Sequence, residues 1–502
     1  MKKHIWLQKH TIVALSLSIL ALAEIVDLTI VGVALPHLMG ALEANINQIS
    51  LTLTCYIVAS AIFIPLTGFV TKKYGFKTVA LLSAIVFGIA SILCGAASTL
   101  LQMVVFRTMQ GVGGAFLPAL AQGYIIENFD TKERPTMMLI FSMCVVLGPI
   151  IGPLFGGYIV EHMSWRWIFY VNVPLCIISI VVIVFLMTES KKENIKTDYF
   201  GFLLMAIGIG CFEYFLDEGS QNSWFESQEM IILFAISVIA LGFFIWRGLV
   251  RQTIIDFKLF TSKNFNMSCV LIFIFMIAVV LSLAYLPTLL QNGYGYPVDL
   301  AGLITAPRGV FAFLSAPIFI HLAKKIDSRY VLFLGLLIYT TACMTLTYYG
   351  TQINTQMILT TLILQGIGLT GTFVILMQIA FIELPHNMSS QASGMFNFFR
   401  NIGNSVGTSI AATVISREQQ ISWHDMASNI NLHNHNIKAL LHNHNIDIHH
   451  KLLSITADIQ LQAFLIANID GFYLALIALI SILWIPFILK KSPNIDSAPN
   501  FH

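Results

Sequence analysis

The sequence contains few charged residues. They make up 10% of its 502 residues, whereas about a quarter of the residues in an ordinary soluble domain are charged. Hydrophobic residues make up 57%, so the 27 basic and 25 acidic residues are too few to cover the surfaces of soluble domains. A chain of this length would form about three or four such domains. The composition excludes a soluble enzyme and indicates that most of the protein surface contacts lipid.

Other absences exclude further classes of protein. The formal net charge is only +2, and no basic cluster marks a nucleic-acid-binding face. The seven cysteines are odd in number and all lie in apolar runs, which is typical of core residues and not of a disulfide framework. No glycine-rich loop ends in Gly-Lys-Ser or Gly-Lys-Thr, so ATP is not expected as the direct energy source. We predict no cofactor.

Long apolar runs dominate the chain. A membrane-spanning helix needs about 20 of these residues, and backbone groups in lipid must be satisfied within the segment, so such runs are helices. Fourteen runs qualify: 13–35, 49–70, 78–98, 101–126, 136–160, 167–187, 199–217, 229–250, 266–290, 301–322, 329–349, 356–382, 395–416 and 470–489. The first run also resembles a cleavable secretory signal. Its continuation to Leu35 favours a true span.

The basic residues predict the orientation. With alternating loops, 20 lysines and arginines fall on one side of the membrane and 4 on the other. By the positive-inside rule the basic side is cytoplasmic, which places both termini there. We therefore expect a multi-pass membrane protein with both termini in the cytoplasm.

The chain also repeats itself at an offset of about 252 residues. The segment 65–77 aligns with 317–329, and Gln110-Gly111-Val-Gly113 aligns with Gln365-Gly366-Ile-Gly368. Parallel repeats of this kind are typical of transporters in which one half rocks against the other. The predicted units are a six-helix bundle over 1–190, a linking helix pair over 191–262, a second bundle over 263–490 and a tail over 491–502.

Several motifs resemble those of one family, the fourteen-span drug:proton antiporters of the major facilitator superfamily, and within it the EmrB type. They are Asp27 to Pro36, Gly68 to Lys77, Arg107 to Gly114, Gly148 to Gly157, Trp165 to Phe169, Ala306 to Gly309 and Asn397 to Gly403. The resemblance implies the major facilitator fold, an all-α membrane protein with helices arranged as six, two and six. It also implies proton-coupled export of amphipathic or cationic drug-like compounds, together with a periplasmic adaptor and an outer-membrane channel.

The sequence departs from the family pattern at a few positions. Lys72 replaces the usual aspartate of the cytoplasmic loop motif, which puts any gating salt bridge through that aspartate in doubt. Leu139 replaces the leading glycine of the fifth-span motif, and Gly32 stands where asparagine is common in the first span.

Charged residues inside spans are costly and persist only with a partner or a purpose. At 1.5 Å per residue, Asp27 and Arg107 lie about 12 Å and about 10 Å below the outer end of their helices, so the two can meet. Their repeat equivalents are Val279 and Leu362. We interpret Asp27 as the proton-coupling carboxylate, which alternates between a proton and a cationic partner. The alternative is a static buried ion pair.

Further residues are predicted to accompany this pair. Glu24 lies one helical turn from Asp27, where two nearby carboxylates favour a protonatable site. Glu24, Gln110, Arg308 and Asn397 are predicted to line the substrate cavity. The predicted gating and packing residues are Gly68, Lys72, Lys73, Gly75, Lys77, Gly148, Gly152, Pro153, Gly156, Gly157, Arg400 and Gly403. The glycines form small-residue stripes that let helices pack closely.

The last outer loop is predicted over 417–469 and contains seven histidines. Only His433, His435, His442 and His444 are spaced as weak candidates for a metal site, and no cysteine or carboxylate supports them, so we expect no metal. The loop is also placed where an adaptor would dock.

The interpretation favoured by the sequence is a proton-coupled multidrug exporter. One alternative is a carrier of a single metabolite or siderophore on the same fold. A membrane enzyme or receptor is less favoured, because neither a clustered catalytic constellation nor a soluble ligand-binding domain is present.

Overall fold

A computed structural model describes residues 2–130, 133–251, 253–283, 286–350, 353–385, 388–428 and 448–490. Within these ranges the regular structure is helical, without a β-strand. The main helices, α1 to α14 in chain order, are Lys2–Ala41, Ile46–Phe63 with its continuation Thr67–Tyr74, Phe76–Ala96, Leu100–Gly114 with Leu117–Asn128, Arg134–His162, Asn172–Leu186, Tyr199–Glu218, Gln228–Val250, Lys263–Leu283, Val298–Lys325, Ser328–Leu346, Thr355–Ala380, Ser389–Ser428 and Ile448–Ile482.

Each predicted apolar run coincides with one of these helices. Among the described residues, 12 helices are long and apolar enough to cross a membrane, and α5 joins them as a pair of segments bent by 44°. The bend follows Pro149, as expected of a proline inside a helix. The remaining helix, α13, contains several polar residues and does not reach the same apolarity.

Side chains that directly precede several helices cap the free N–H groups at the helix start. Asn45 and Gln48 form a reciprocal capping box at the start of α2, with bonds of 2.9 and 3.0 Å. Thr99 accepts a bond from the backbone of Gln102 at the start of α4, and Asp198 does the same for α7. These caps set the points at which the chain re-enters the bundle.

The sequence repeat reappears as repeated helix packing between a first half, α1 to α6, and a second half, α9 to α14. A Cβ atom on Gly152 of α5 would overlap Thr29 of α1. In the second half, a Cβ on Gly407 of α13 would meet Ile277 of α9 in the same way. Small residues therefore set the close approach of the same helix pair in both halves.

The two halves meet at the end of the bundle that carries Lys72, Lys73, Lys324 and Lys325, which we name the lysine face. Here the start of α13 packs against α2 and α4. Ser393 donates to Gln122 at 2.8 Å, and the Asn397 amide donates to the same Gln122 oxygen at 2.7 Å. Gly68 lies so close to Gln391 that any side chain there would overlap it.

The segment predicted as the outer loop, 417–469, is helical at both ends. Helix α13 continues to Ser428, and α14 begins at Ile448. Apolar runs reveal only the part of a helix that lies in lipid. Beyond that part, the stretch 408–470 contains no glycine or proline that would end a helix earlier. His433, His435, His442 and His444 lie outside the described residues.

Candidate functional site

A cavity of about 1580 Å³ lies between the two halves. Its lining extends to His37, Glu161 and Gln291. His37 and Glu161 stand near the ends of α1 and α5 remote from the lysine face, and Gln291 lies in the short helical segment Leu289–Gly293 that follows α9. Toward the lysine face the lining stops near Pro118 and Asn397, where the halves are in contact. The walls are mainly apolar. Their charged residues are Glu24, Glu161, Glu213, Asp217, Arg308 and Arg400.

Asp27 and Arg107 form a fully buried ion pair beside this cavity. The Arg107 Nη1 atom lies 2.5 Å from Asp27 Oδ2, and both side chains have no exposed surface. Gln110 and Asn172 donate to the other carboxylate oxygen at 2.9 and 2.7 Å. The carboxylate thus joins α1 to α4 and α6 through three donors. The sequence prediction that Asp27 and Arg107 meet agrees with this geometry.

Arg107 is held by further contacts. Its Nε atom donates to the Thr52 carbonyl at 3.2 Å, and its guanidinium lies 4.3 Å from the ring centre of Tyr56. The Nη2 atom has no hydrogen-bond partner among the described residues. Removing one partner of a buried ion pair strongly destabilises the protein, because the other charge remains buried and unpaired. The ion pair therefore ties α1 to α4, and losing either charge would destabilise this contact.

Glu24 connects the ion pair with the cavity. It lies one turn before Asp27 on α1 and is 5% exposed, and it lines the cavity whereas Asp27 does not. Tyr56 donates to one of its oxygens at 3.4 Å, while the other oxygen has no partner in the described part of the chain. Arg400 of the second half interacts with it electrostatically. Of these two carboxylates, Glu24 is therefore the one that the cavity reaches.

Other predicted cavity residues fall into two groups. Arg308 and Asn397 line the cavity, and so does Arg400, which was grouped with the gating and packing residues. Gln110 is not among the lining residues. It was predicted there because it lies in the fourth-span motif, but its amide is turned toward Asp27 and Ser91.

Two carboxylates on α7, Glu213 and Asp217, line the cavity without having been predicted as site residues. Ser405 of α13 is a hydrogen-bonding neighbour of Glu213, and Thr54 of α2 donates to Asp217. The position of Glu213 and Asp217 inside an apolar run was the sequence signal for a functional role. The repeat gave no counterpart for α7, so the sequence could not show which surface of this helix meets the halves.

The predicted loop motif after α2 contacts the end of α6 and the linker before α7. Lys73 donates to Thr197 in the linker, and Lys77 donates to the Val184 carbonyl of α6 at 2.7 Å. Glu193 donates its backbone N–H to the Lys72 carbonyl at 2.8 Å. Gly75 has a φ of +92°, which favours glycine. At the start of this motif, Gly68 contacts Gln391 of the second half.

The glycine stripe of α5 lies against α1. Side chains at Gly148 and Gly156 would overlap Ile25 and Ile30, as one at Gly152 would overlap Thr29. Pro153 and Gly157 instead line the cavity. Gly403 repeats the stripe in the second half, where a Cβ would lie 2.6 Å from the Phe273 carbonyl of α9. The described ranges contain no group of three or more metal-binding side chains.

Comparison with known proteins agrees with this architecture. The profile of the Major Facilitator Superfamily matches residues 17–408. The chain is 33% identical to the multidrug export protein EmrB of Escherichia coli K12, over 86% of this chain and 85% of that protein. It is 30% identical to the fatty acid resistance protein FarB of Neisseria gonorrhoeae, over 94% of this chain and 95% of FarB.

Solved structures show the same fold. The proton:xylose symporter XylE bound to 6-bromo-6-deoxy-D-glucose superposes with a TM-score of 0.60 at 14% identity, covering 98% of this chain and 97% of XylE. At this identity the likeness concerns the fold alone. Together, the profile match, the identity to EmrB and the two packed halves establish that the chain belongs to the Major Facilitator Superfamily and, within it, to the EmrB type of multidrug export proteins.

Proposed function

We propose that this protein is a proton-coupled multidrug exporter that moves amphipathic or cationic compounds out of the cytoplasm by alternating access. The observation that carries the proposal is the buried Asp27–Arg107 pair next to a large apolar cavity between two halves. The relatives named for multidrug export support the substrate class. The apolar walls and the few charged residues suit compounds with an apolar body and a charged group.

Proton coupling is assigned to Asp27. Its protonation neutralises the carboxylate and removes the ion pair with Arg107, which changes the contacts between α1 and α4. Glu24, which is exposed to the cavity, passes the proton inward from the open side. Release of the proton on the other side restores the pair, so one turnover exchanges protons for substrate.

The proposed orientation places the lysine face in the cytoplasm and all fourteen helices in the inner membrane, arranged as six, two and six. The excess of basic residues on that face supports this assignment. In that orientation the halves are closed toward the cytoplasm and the cavity extends toward the outside, as expected for the outward-facing state of an exporter. Alternating access then requires the contacts of Gln122 with Ser393 and Asn397 to break.

A periplasmic adaptor and an outer-membrane channel are proposed as partners. Helix α13 contains 40 residues, which corresponds to about 60 Å, twice the hydrocarbon thickness of about 30 Å. Its outer end and the start of α14 therefore project from the membrane where an adaptor would dock. Deletion of 424–450 should reduce cross-linking to the adaptor, and unchanged cross-linking would contradict this part of the proposal.

Dye efflux tests the function most simply. Cells that express the protein, alone and with an adaptor, should lose a fluorescent amphipathic dye faster than control cells. An uncoupler that collapses the proton gradient should abolish the difference. Efflux that continues at the same rate after uncoupling would contradict proton coupling. Export of only one compound from a broad panel would favour the dedicated carrier.

A further inference from the structure

Helix α7 belongs to neither half of the repeat, yet it forms part of the cavity wall. It packs against α2 of the first half and α13 of the second. Thr54 on α2 donates to Asp217, and Ser409 on α13 donates to the Leu216 carbonyl at 2.5 Å. The inserted helix is thus anchored to both moving halves at the cavity.

One carboxylate of α7 is buried with an unsatisfied oxygen. Glu213 is 1% exposed and lines the cavity, and its Oε1 atom has no hydrogen-bond partner among the described residues. Asp217 follows four residues later, on the same face of the helix, and is exposed. Buried acceptors are normally paired, so the free oxygen indicates a position that a ligand completes.

The charges around the cavity distinguish this position from Glu24. Arg400 and Arg107 both interact electrostatically with Glu24. Glu213 and Asp217 interact with each other as like charges, and neither forms an ion pair in the part of the chain that the structure describes. The α7 wall therefore presents two carboxyl groups that pair with no basic residue of the described ranges, and a cationic ligand would complete them.

The side chains around the two carboxylates indicate what the rest of the ligand must be. Leu216, Ile57 and Val58 line the cavity within one turn of Asp217 and of its partner Thr54. These side chains offer an apolar surface beside the two carboxylates. An amphipathic organic cation matches both features, whereas a metal ion matches neither the apolar surface nor the number of ligands.

We propose that Glu213 and Asp217 on the inserted helix α7 form a subsite that binds the positive charge of amphipathic organic cations. This inference rests on the proposed export function and assigns to the helix outside the repeats a role in choosing substrates. Glu213 makes the direct contact, and Asp217 adds to the attraction nearer the cavity mouth.

Equilibrium binding to the full chain in lipid nanodiscs tests the subsite without a proton gradient. Tetraphenylphosphonium and tetraphenylborate serve as probes, because they have nearly the same size and shape and opposite charges. Glu213→Gln should weaken tetraphenylphosphonium binding by about tenfold or more, since a charge-assisted contact is lost. Tetraphenylborate should bind as before or more tightly. Asp217→Asn should produce a smaller shift, and Glu213→Asp should restore most of the affinity.

Glu161→Gln is the matched control, because it removes the same charge from an exposed position at the cavity mouth. It should change tetraphenylphosphonium binding by less than about twofold, as expected for a solvent-screened charge. Unchanged tetraphenylphosphonium binding by Glu213→Gln would overturn the proposal. A parallel loss of both probes would also overturn it, since that result indicates a structural role for Glu213.

The outcome is separable from that of the export function. If tetraphenylphosphonium binding depends on Glu213 but no proton gradient drives its transport, the subsite stands and the export function fails. If the wild-type protein exports tetraphenylborate or a neutral dye but does not bind tetraphenylphosphonium, the export function stands and the cation subsite is overturned.

Discussion

The two halves share their packing but differ in what they bury at its centre. In the first half, Asp27 and Arg107 form a charged pair, with no exposed surface on either side chain. At the corresponding positions the second half has Val279 and Leu362. One turn after Val279, Ser282 of α9 shares a neutral hydrogen bond of 2.8 Å with Tyr339 of α11. The architecture is symmetric, whereas the buried ion pair of the described residues lies in the first half.

Removing Arg107 from the buried ion pair with Asp27 should have the largest effect on stability. Arg107→Leu leaves Asp27 buried without its ion-pair partner and should lower the free energy of unfolding by about 3–5 kcal/mol. The counterpart in the second half, Tyr339→Phe, removes one neutral hydrogen bond and should lower it by about 0.5–1.5 kcal/mol. Thermal unfolding in detergent measures both. Equal losses would contradict the asymmetry.

The shared packing should respond alike in both halves, with an intermediate effect. Gly152→Leu and Gly407→Leu each push a side chain into the facing helix, Gly152 against Thr29 and Gly407 against Ile277. Each should lower stability by about 1–3 kcal/mol. The matched control is Gly157→Ala, because a Cβ at Gly157 meets no atom within 4 Å. A large loss in only one half would show that the packing is not equivalent.

A partly exposed ion pair should have the smallest effect. Arg247 donates to Asp198 at 2.8 and 2.9 Å, and its hydrogen bonds lower the pKa of that carboxyl. The resulting stabilisation is present above the ordinary pKa of 3.8 and disappears as the pH falls through the lowered value. Asp198→Asn keeps the helix cap and removes the charge, so it should cost about 0.2–1 kcal/mol at pH 7. A loss as large as that of Arg107→Leu would contradict this ranking.

Much of the fold follows from the sequence because lipid imposes a simple rule on it. Apolar runs of sufficient length located the fourteen main helices, and the small-residue stripe predicted at Gly148, Gly152 and Gly156 lies against α1. Helix ends outside lipid escaped this rule, as α13 and α14 demonstrate at residues 417–428 and 448–469. There the helices continue in stretches whose composition no longer distinguishes helix from loop.

The site was only partly predictable. The pairing of Asp27 with Arg107 followed from depth alone, because unpaired charges are rare inside membranes. The direction in which the Gln110 amide points could not be predicted, since an amide can face a cavity or bind a buried carboxylate equally well. Nor could the sequence place Glu213, because the contacts of α7 depend on how an inserted helix docks against two separate bundles.

The most direct test of the account measures what Asp27 does in turnover. Asp27→Asn preserves the size of the side chain and removes the group that binds the proton. In reconstituted vesicles, this variant should still exchange labelled for unlabelled substrate across the membrane. It should not accumulate substrate against a gradient when a pH difference is imposed. Accumulation driven by the pH difference at the wild-type level would contradict the assignment of Asp27 as the coupling residue.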